Sequence, residues 1–174
     1  MQKLPRQFFE RDTVIVAKEL LGKILVCGDK KAIITETEAY IGYKDDESCH
    51  AHNKRTNRVE VLWGEAGFSY VYLIYGMYFC FNIVTEQSGY PAAVLLRGAK
   101  IIDTENLLLD GPGKLCRYLK INKEHNKIDL VTSDNITVID SEITPKFEAT
   151  KRIGISKSKE KLWRFVVNKN QLIT

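Results

Sequence analysis

Residues 70–82, YVYLIYGMYFCFN, place six aromatic rings in thirteen positions, with a glycine near the middle. Before the glycine, two sets of aromatic and aliphatic side chains alternate, which is the period of a β-strand whose faces meet different surroundings. Gly76 interrupts the alternation, and a Tyr-Gly step between two strand-like runs indicates a turn or bulge. The segment therefore predicts a β-hairpin with Tyr75 at its tip.

Two interpretations of these rings stay open on the residues alone. Aromatic side chains in strands usually pack in a core, which suits Phe79 and Phe81. The tyrosines suit a core less well, because each buried hydroxyl needs a hydrogen-bond partner. Exposed aromatic faces on a protein of net charge +4 are instead typical of surfaces that stack nucleic-acid bases.

Strand patterns dominate the rest of the 174-residue chain. Helices are predicted over 12–22, which Asp12 can cap, and over 114–121, after a Gly-Pro-Gly loop. Further strands are predicted at 23–27, 31–41, 92–102, 137–140 and 161–167, and the mostly polar residues 42–68 predict a long excursion. This order predicts an α+β fold, a single compact domain over 1–174 with a curved, mainly antiparallel β-sheet, helices at its margins and a protruding β-hairpin.

Composition predicts a soluble protein that acts in the cytoplasm. Apolar residues make up 44% of the chain and charged residues 28%, and no apolar run approaches the ~20 residues of a membrane span. The N-terminus, MQKLPRQFFERD, lacks the apolar core of a secretory signal. The four cysteines, Cys27, Cys49, Cys80 and Cys116, are therefore expected as free thiols in a reducing compartment.

A cluster of carboxylates, a tyrosine and histidines lies at 36–52, ETEAYIGYKDDESCHAH. By the period of two, Glu36, Glu38 and Tyr40 share one face of a strand. A glutamate beside aromatic rings is a candidate general base. A solvated strand face is the alternative explanation.

The same stretch admits a metal site, but only weakly. Potential ligands are His50, His52, Cys49 and Asp46. Their spacing lacks the HExxH and CxxC patterns of zinc sites. We therefore predict no metal, and a metal-dependent hydrolase remains a minor alternative.

Six short motifs complete the pattern: ETEAYIG (36–42), DESCHA (46–51), YVYLIYGMYFCFNIV (70–84), AVLLRG (93–98), GPGKLC (111–116) and RIGI (152–155). In type and order they resemble the alkyladenine (3-methyladenine) DNA glycosylases that are not built on the helix-hairpin-helix. The resemblance runs from about residue 6 to 167. It implies a monofunctional glycosylase that flips alkylated or deaminated purines out of duplex DNA and hydrolyses the N-glycosidic bond, initiating base excision repair without a cofactor.

Residue roles follow from the resemblance. Glu38 would activate the water that attacks C1′ of the flipped nucleotide, while Arg97 and the backbone carbonyl of Ile153 would hold that water. The flipped base would lie between Tyr40 and Tyr72.

Further roles concern the edge of the base and the DNA. His50 would lie on the opposite face and bind the base edge, and Asn82 would clash with the 2-amino group of guanine. Tyr75 would wedge into the duplex, Met77 would support the hairpin near the minor groove, and Arg58 would contact phosphate. Lys54 and Arg55 are explained equally well as a solvated loop.

Two departures from the family pattern concern loops. Val59 stands where a T-x-R-N pattern usually has asparagine, and Tyr43-Lys44-Asp45 stands where a proline is common.

The expected partner is double-stranded DNA with damaged purines, bound by a monomer away from membranes. The second hypothesis is a single-stranded nucleic-acid-binding module without catalysis. Glu38 distinguishes the two, because a binding module has no use for a carboxylate at its stacking site.

Overall fold

Nine β-strands, each paired antiparallel with its neighbours, dominate the computed structural model, which describes residues 2–42, 46–102 and 107–168. The strands are β1 (Ile24–Cys27), β2 (Lys30–Ile41), β3 (Ser69–Ile74), β4 (Tyr78–Val84), β5 (Ala92–Ile101), β6 (Leu108–Asp110), β7 (Ile136–Ile139), β8 (Phe147–Thr150) and β9 (Arg164–Val167). The helices are α1 (Arg6–Phe9), α2 (Thr13–Glu19) and α3 (Pro112–Leu119), with 3₁₀ turns at Glu60–Trp63 and Lys123–His125. The predicted α+β fold with a mainly antiparallel sheet is confirmed.

The sheet curls at a bulge in its longest strand, β2. The strand order is β3-β4-β5-β2-β1-β7. In addition, β6 pairs with β5, and β9 pairs with β2 and β8. The register of β2 against β5 shifts on both sides of Glu36. A bulge bends its strand and increases the twist, so β2 pairs with β1 before Glu36 and with β9 from Glu36 onward. Gly98 lies opposite, where an added Cβ would come within 3.0 Å of both the Glu36 Cβ and the Thr35 hydroxyl.

The two predicted helices cover one face of this sheet and enclose the main core. The Asp12 carboxylate accepts a bond from the Ile15 N–H at 3.0 Å, which confirms the predicted cap of α2. The buried hydroxyl of Thr37 donates to the Ala17 carbonyl and joins α2 to β2. Helix α3 begins with Pro112, two residues before its predicted start, and packs on β4 and β5.

The predicted excursion encloses a second, smaller core. Cys49, Val59 and Leu62 are buried there against Tyr70 and Val84 of the aromatic hairpin. Val59, which departs from the family pattern, is 3% exposed and serves as a packing residue. The second departure, Tyr43-Lys44-Asp45, lies outside the described residues.

All four cysteines are buried free thiols, as expected. Burial raises the pKa of Cys49 to about 12, so this thiol is unreactive at physiological pH. Within the described ranges, no helix is long and apolar enough to cross a membrane.

Candidate active site

The side chain of Glu38 is completely buried in the second half of β2 and is held by both of its oxygens. The Tyr40 hydroxyl donates to Oε2 at 2.7 Å and the backbone N–H of Ile153 donates to Oε1 at 2.8 Å. The Nε of Arg97, on the adjacent β5, lies 3.5 Å from Oε1. These donors favour the charged form of the carboxylate and fix its orientation.

Burial raises the pKa of the Glu38 carboxyl above its ordinary value. Arg97 and the two hydrogen-bond donors lower the pKa but do not cancel the effect of burial. A carboxylate with a raised pKa accepts protons more readily than an exposed one. Its environment therefore suits a general base.

Glu36 orients the arginine beside this carboxylate. Its Oε1 accepts from Arg97 Nε at 2.9 Å and from Arg164 Nε at 2.7 Å. Glu36 and Glu38 thus contact the same guanidinium, that of Arg97. This agrees with the prediction that the two side chains share one face of the strand.

A cleft of about 770 Å³ opens in front of Arg97. A volume of this order accommodates a small organic group such as a nucleoside. Its lining includes all the predicted pocket residues, Tyr40, His50, Tyr72 and Asn82, together with Tyr75 and Ile153. The structure therefore brings together residues from distant parts of the chain at one cleft.

His50 and Tyr72 form one wall of this cleft. Their ring centroids are 4.6 Å apart in an edge-to-face arrangement, which leaves no space for a base between them. The two rings therefore form a single surface, and the predicted place of His50 on the opposite face of the base, at its edge, stays a prediction. His50 Nδ1 is 3.0 Å from the hydroxyl of Tyr70, which is 2% exposed and packs as predicted. Burial, with the charges of Arg58 and Lys54, lowers the pKa of His50, so the imidazole is neutral at physiological pH.

The hairpin tip projects beside the cleft, as the aromatic segment predicts. Tyr75 is 80% exposed and Met77 is 65% exposed, both unusually high for large apolar side chains. Tyr75 and Gly76 have positive φ angles of 53° and 67°, which make the tight turn between β3 and β4. The exposure of Tyr75 thus results from its place in the turn.

Asn82 lines the pocket, and Arg58 lies outside its lining, against the Tyr72 ring. Asn82 is 4% exposed and its Nδ2 donates to the Tyr70 carbonyl at 3.0 Å. The exposed Arg58 has its guanidinium 5.7 Å from the centroid of the Tyr72 ring. Arg55, by contrast, is paired with Glu60 at 2.7 Å. Of these two arginines, Arg58 is the one that lies against the aromatic wall.

Sequence patterns did not single out several side chains of this region. Lys114 and Arg117 of α3 line the cleft, with Lys114 paired to Asp110 at 2.6 Å. The buried salt bridge between Asp46 and Arg152 was also missed, although each residue begins one of the six motifs. The only sequence signal for Asp46 and Arg152 was that each lies in one of the six family motifs.

Two of the four potential metal ligands, Asp46 and His50, are engaged by other side chains. Both carboxylate oxygens of Asp46 bond to Arg152, and His50 bonds to Tyr70. In the parts of the chain that the structure describes, no group of three or more His, Cys, Asp or Glu side chains is arranged to hold a metal ion.

A buried carboxylate of raised pKa beside a cleft with aromatic walls suits a hydrolase that acts on a flat, ring-shaped group. Comparison with known proteins identifies the family. The chain belongs to the methylpurine-DNA glycosylase (MPG) family, whose model matches residues 7–171. The predicted family is confirmed, and with it the prediction that the protein is an enzyme of the DNA glycosylase class.

Close relatives cover nearly the whole chain. A Rickettsia felis protein named "Putative 3-methyladenine DNA glycosylase" is 57% identical over 94% of this chain and 92% of its own length. A Rickettsia rickettsii (strain Sheila Smith) protein of the same name is 56% identical, over 94% of this chain and 89% of its own. A third protein of that name, from Wolbachia sp. subsp. Brugia malayi, is 56% identical over 94% and 96%.

Proposed function

We propose that the protein is a monofunctional DNA glycosylase that releases alkylated or deaminated purines, of the 3-methyladenine type, from duplex DNA. The observation that carries this proposal is the Glu38 carboxylate, buried beside an aromatic cleft and oriented by Tyr40, Ile153 and Arg97. The names of the relatives point to the same substrate class.

The hairpin tip would open the duplex. Extruding a base loses stacking and pairing worth a few kcal/mol. The exposed ring of Tyr75 is large enough to fill the vacated stack, and Met77 beside it would contact the minor groove. Arg58 at the cleft would then meet a flanking phosphate.

The flipped base would enter between Tyr40 and the wall of Tyr72 and His50. Stacking on an aromatic side chain recovers ~1–3 kcal/mol per base. Because Nδ1 of the neutral His50 is committed to Tyr70, its Nε2 would meet the base edge.

Hydrolysis would then proceed by attack of water on C1′. The bond between C1′ and the base nitrogen breaks, and the base takes the bonding electrons. Water oxygen forms the new bond to C1′ and its proton passes to Glu38, whose negative charge also stabilises the oxocarbenium-like sugar. A cationic N-alkylpurine leaves as a neutral base, whereas a neutral purine takes up one proton as it leaves. Arg97 and the Ile153 carbonyl would hold the water.

Release of free base tests this proposal. We expect the protein to release methylated purines from alkylated duplex DNA, to leave an unbroken abasic strand, and to do so equally well in EDTA. Duplexes with hypoxanthine and ethenoadenine define the breadth of substrates.

Binding without release would support the single-stranded-binding alternative, and chelator-sensitive release restored by zinc would support a metal site at His50 and His52. A borohydride-trapped adduct would show a lyase, for which Lys114 lies in the cleft.

Tyr40→Phe should shift the pH dependence of base release. The change keeps the ring but removes the hydroxyl that donates to Glu38 and lowers the pKa of that carboxyl. The pKa of Glu38 therefore rises, and the acid limb of the rate profile moves to higher pH. A hydrogen bond to a charged group contributes ~1.5–3 kcal/mol, so we expect release on the acid side to fall by ~10-fold or more. Tyr118→Phe, a half-buried tyrosine away from the cleft, is the matched control, and an unshifted profile in Tyr40→Phe would refute the assignment.

Asn82→Ser should admit guanine-type bases. The shorter side chain enlarges the pocket beside Tyr70, and a change of this size in a pocket alters discrimination by ~10-fold or more. The measurement is the ratio of guanine to 3-methyladenine released from the same DNA. Asn126→Ser is the matched control, because Asn126 also holds the backbone of β3, through the Val71 N–H, but does not line the cleft. Equal ratios in the two variants would show that Asn82 does not exclude guanine.

A further inference from the structure

Asp46 and Arg152 form a salt bridge whose side chains have no exposed surface. Nη1 of Arg152 donates to Oδ2 of Asp46 at 2.6 Å, and Nη2 donates to Oδ1 at 2.7 Å. Burying two ions carries a desolvation cost that their mutual attraction does not reliably outweigh. Stability alone is therefore a weak explanation for this pair.

The pair ties three separate stretches of backbone together. Nη1 of Arg152 also donates to the carbonyl of Ala39, on the part of β2 that carries the catalytic carboxylate. The Asp46 carboxylate accepts from the backbone N–H groups of Ile41 and Ser48, each at 3.1 Å. The loop with the histidine of the aromatic wall is thus fixed to β2 and to the segment that follows β8.

Arg152 also adjoins the two hydrogen-bond donors of Glu38, Tyr40 and Ile153. Ile153, the next residue in the chain, supplies the N–H that donates to Glu38. The guanidinium lies 4.6 Å from the centroid of the Tyr40 ring, whose hydroxyl donates to the other oxygen. A planar guanidinium held by its bonds to Asp46 and to the Ala39 carbonyl restricts the ring stacked on it. Arg152 is therefore linked to both donors, to one through the chain and to the other through a ring contact.

We propose that Arg152, fixed by Asp46, is a positioning residue that aims the Ile153 N–H and the Tyr40 hydroxyl at Glu38. Nη1 and Nη2 of Arg152 are taken up by Asp46 and the Ala39 carbonyl, so it acts through these two groups and not on the substrate. The inference rests on the proposed function, because it requires Glu38 to be the general base.

A shift in pH dependence distinguishes positioning from simple stabilisation. Besides Arg152, the titratable side chains around Glu38 come from five strands: Glu36 and Tyr40 on β2, Tyr72 on β3, Cys80 on β4, Arg97 on β5 and Arg164, its register partner, on β9. The two hydrogen bonds lower the pKa of Glu38 and oppose the effect of burial. Misdirecting them raises that pKa, so Glu38 is protonated over more of the acid range and the rate falls most at low pH.

Arg152→Lys is the first test, since lysine keeps the positive charge beside Asp46 but lacks the planar fork. We expect single-turnover base release to fall ~10²-fold, as small misplacements of catalytic groups do, and the acid limb to move to higher pH. Arg6→Lys is the matched control, because Arg6 likewise joins a carboxylate, Asp129 at 2.7 Å, to a backbone carbonyl, remote from Glu38. That control should lower only the melting temperature.

A double variant, Asp46→Asn with Arg152→Gln, removes both buried charges and leaves no ion unpaired. It should show the same shift of the acid limb. A folded variant at Arg152 with the wild-type rate and pH profile would overturn the positioning role. If neither variant folds, the pair is a folding element and the proposal is wrong. A wild-type protein that releases no base from methylated DNA would refute the proposed function instead, which keeps the two failures distinct.

Discussion

Base release in Glu38→Gln falls by ~10³-fold or more, while binding to DNA with an abasic-site analogue stays within a few-fold of wild type. The amide cannot accept the proton of the attacking water, and general-base catalysis of this kind contributes ~10²–10⁴-fold. The shape of the site survives, because the Gln carbonyl can accept from the Ile153 N–H and its NH₂ can donate to the Tyr40 hydroxyl. Single-turnover release and fluorescence anisotropy with the analogue measure the two quantities.

Glu36→Gln is the matched control for this variant. Glu36 lies two residues earlier on the same strand and contacts the same arginine, Arg97. Because Glu36 acts through its bond to Arg97 and through its charge, and does not take the proton of the water, its loss should be smaller, ~10-fold, on the scale of one charge-assisted hydrogen bond. Equal losses in the two variants would contradict the assignment of the base to Glu38, as would a wild-type rate in Glu38→Gln.

Tyr75→Asn reduces release from a fully paired duplex by ~10–100-fold and has much less effect on single-stranded or mismatched DNA. In the proposed function, the Tyr75 ring offsets an unstacking cost of a few kcal/mol, which is greatest where the target base is paired. Asparagine suits the variant, because Tyr75 has a left-handed backbone that this residue tolerates. The hairpin should therefore keep its turn while losing the ring.

Leu73→Asn provides the comparison on the same hairpin. Leu73 is exposed but does not line the cleft, so its loss should leave the rates on all three substrates nearly unchanged. Melting temperatures show whether either variant is destabilised. A Tyr75→Asn protein that unfolds, or that loses activity equally on paired, mismatched and single-stranded DNA, would rule out intercalation.

Local patterns were sufficient to predict the strands and turns around the site. The glycines at 28 and 76 mark tight turns whose neighbours have strand periodicity, so both hairpins were predictable from a few adjacent residues. Asp12 predicted its helix for the same reason. The very short elements α1, β6 and β8 were missed, because three or four residues carry too little periodicity to distinguish them from loops.

Contacts between residues far apart in the chain could not be predicted from sequence patterns. No local feature indicates that Arg152 pairs with Asp46, since the partners lie in loops far apart in the chain. The position of His50 against Tyr72 depends likewise on how an irregular loop packs on a strand. The bulge at Glu36 changes which strands flank β2, and bulges are set by the whole sheet.

Glu38 faces Leu95 of β5 on one side and Arg164 of β9 on the other. Pairings between such distant residues form slowly, because long loops must close first. The hairpin of β3 and β4 closes over a turn of three residues, so no long loop has to close before its strands pair. We therefore expect the β3–β4 hairpin, proposed to insert into DNA, to form before the Glu38 carboxylate is enclosed. An incompletely folded chain would then bind DNA without hydrolysing a glycosidic bond.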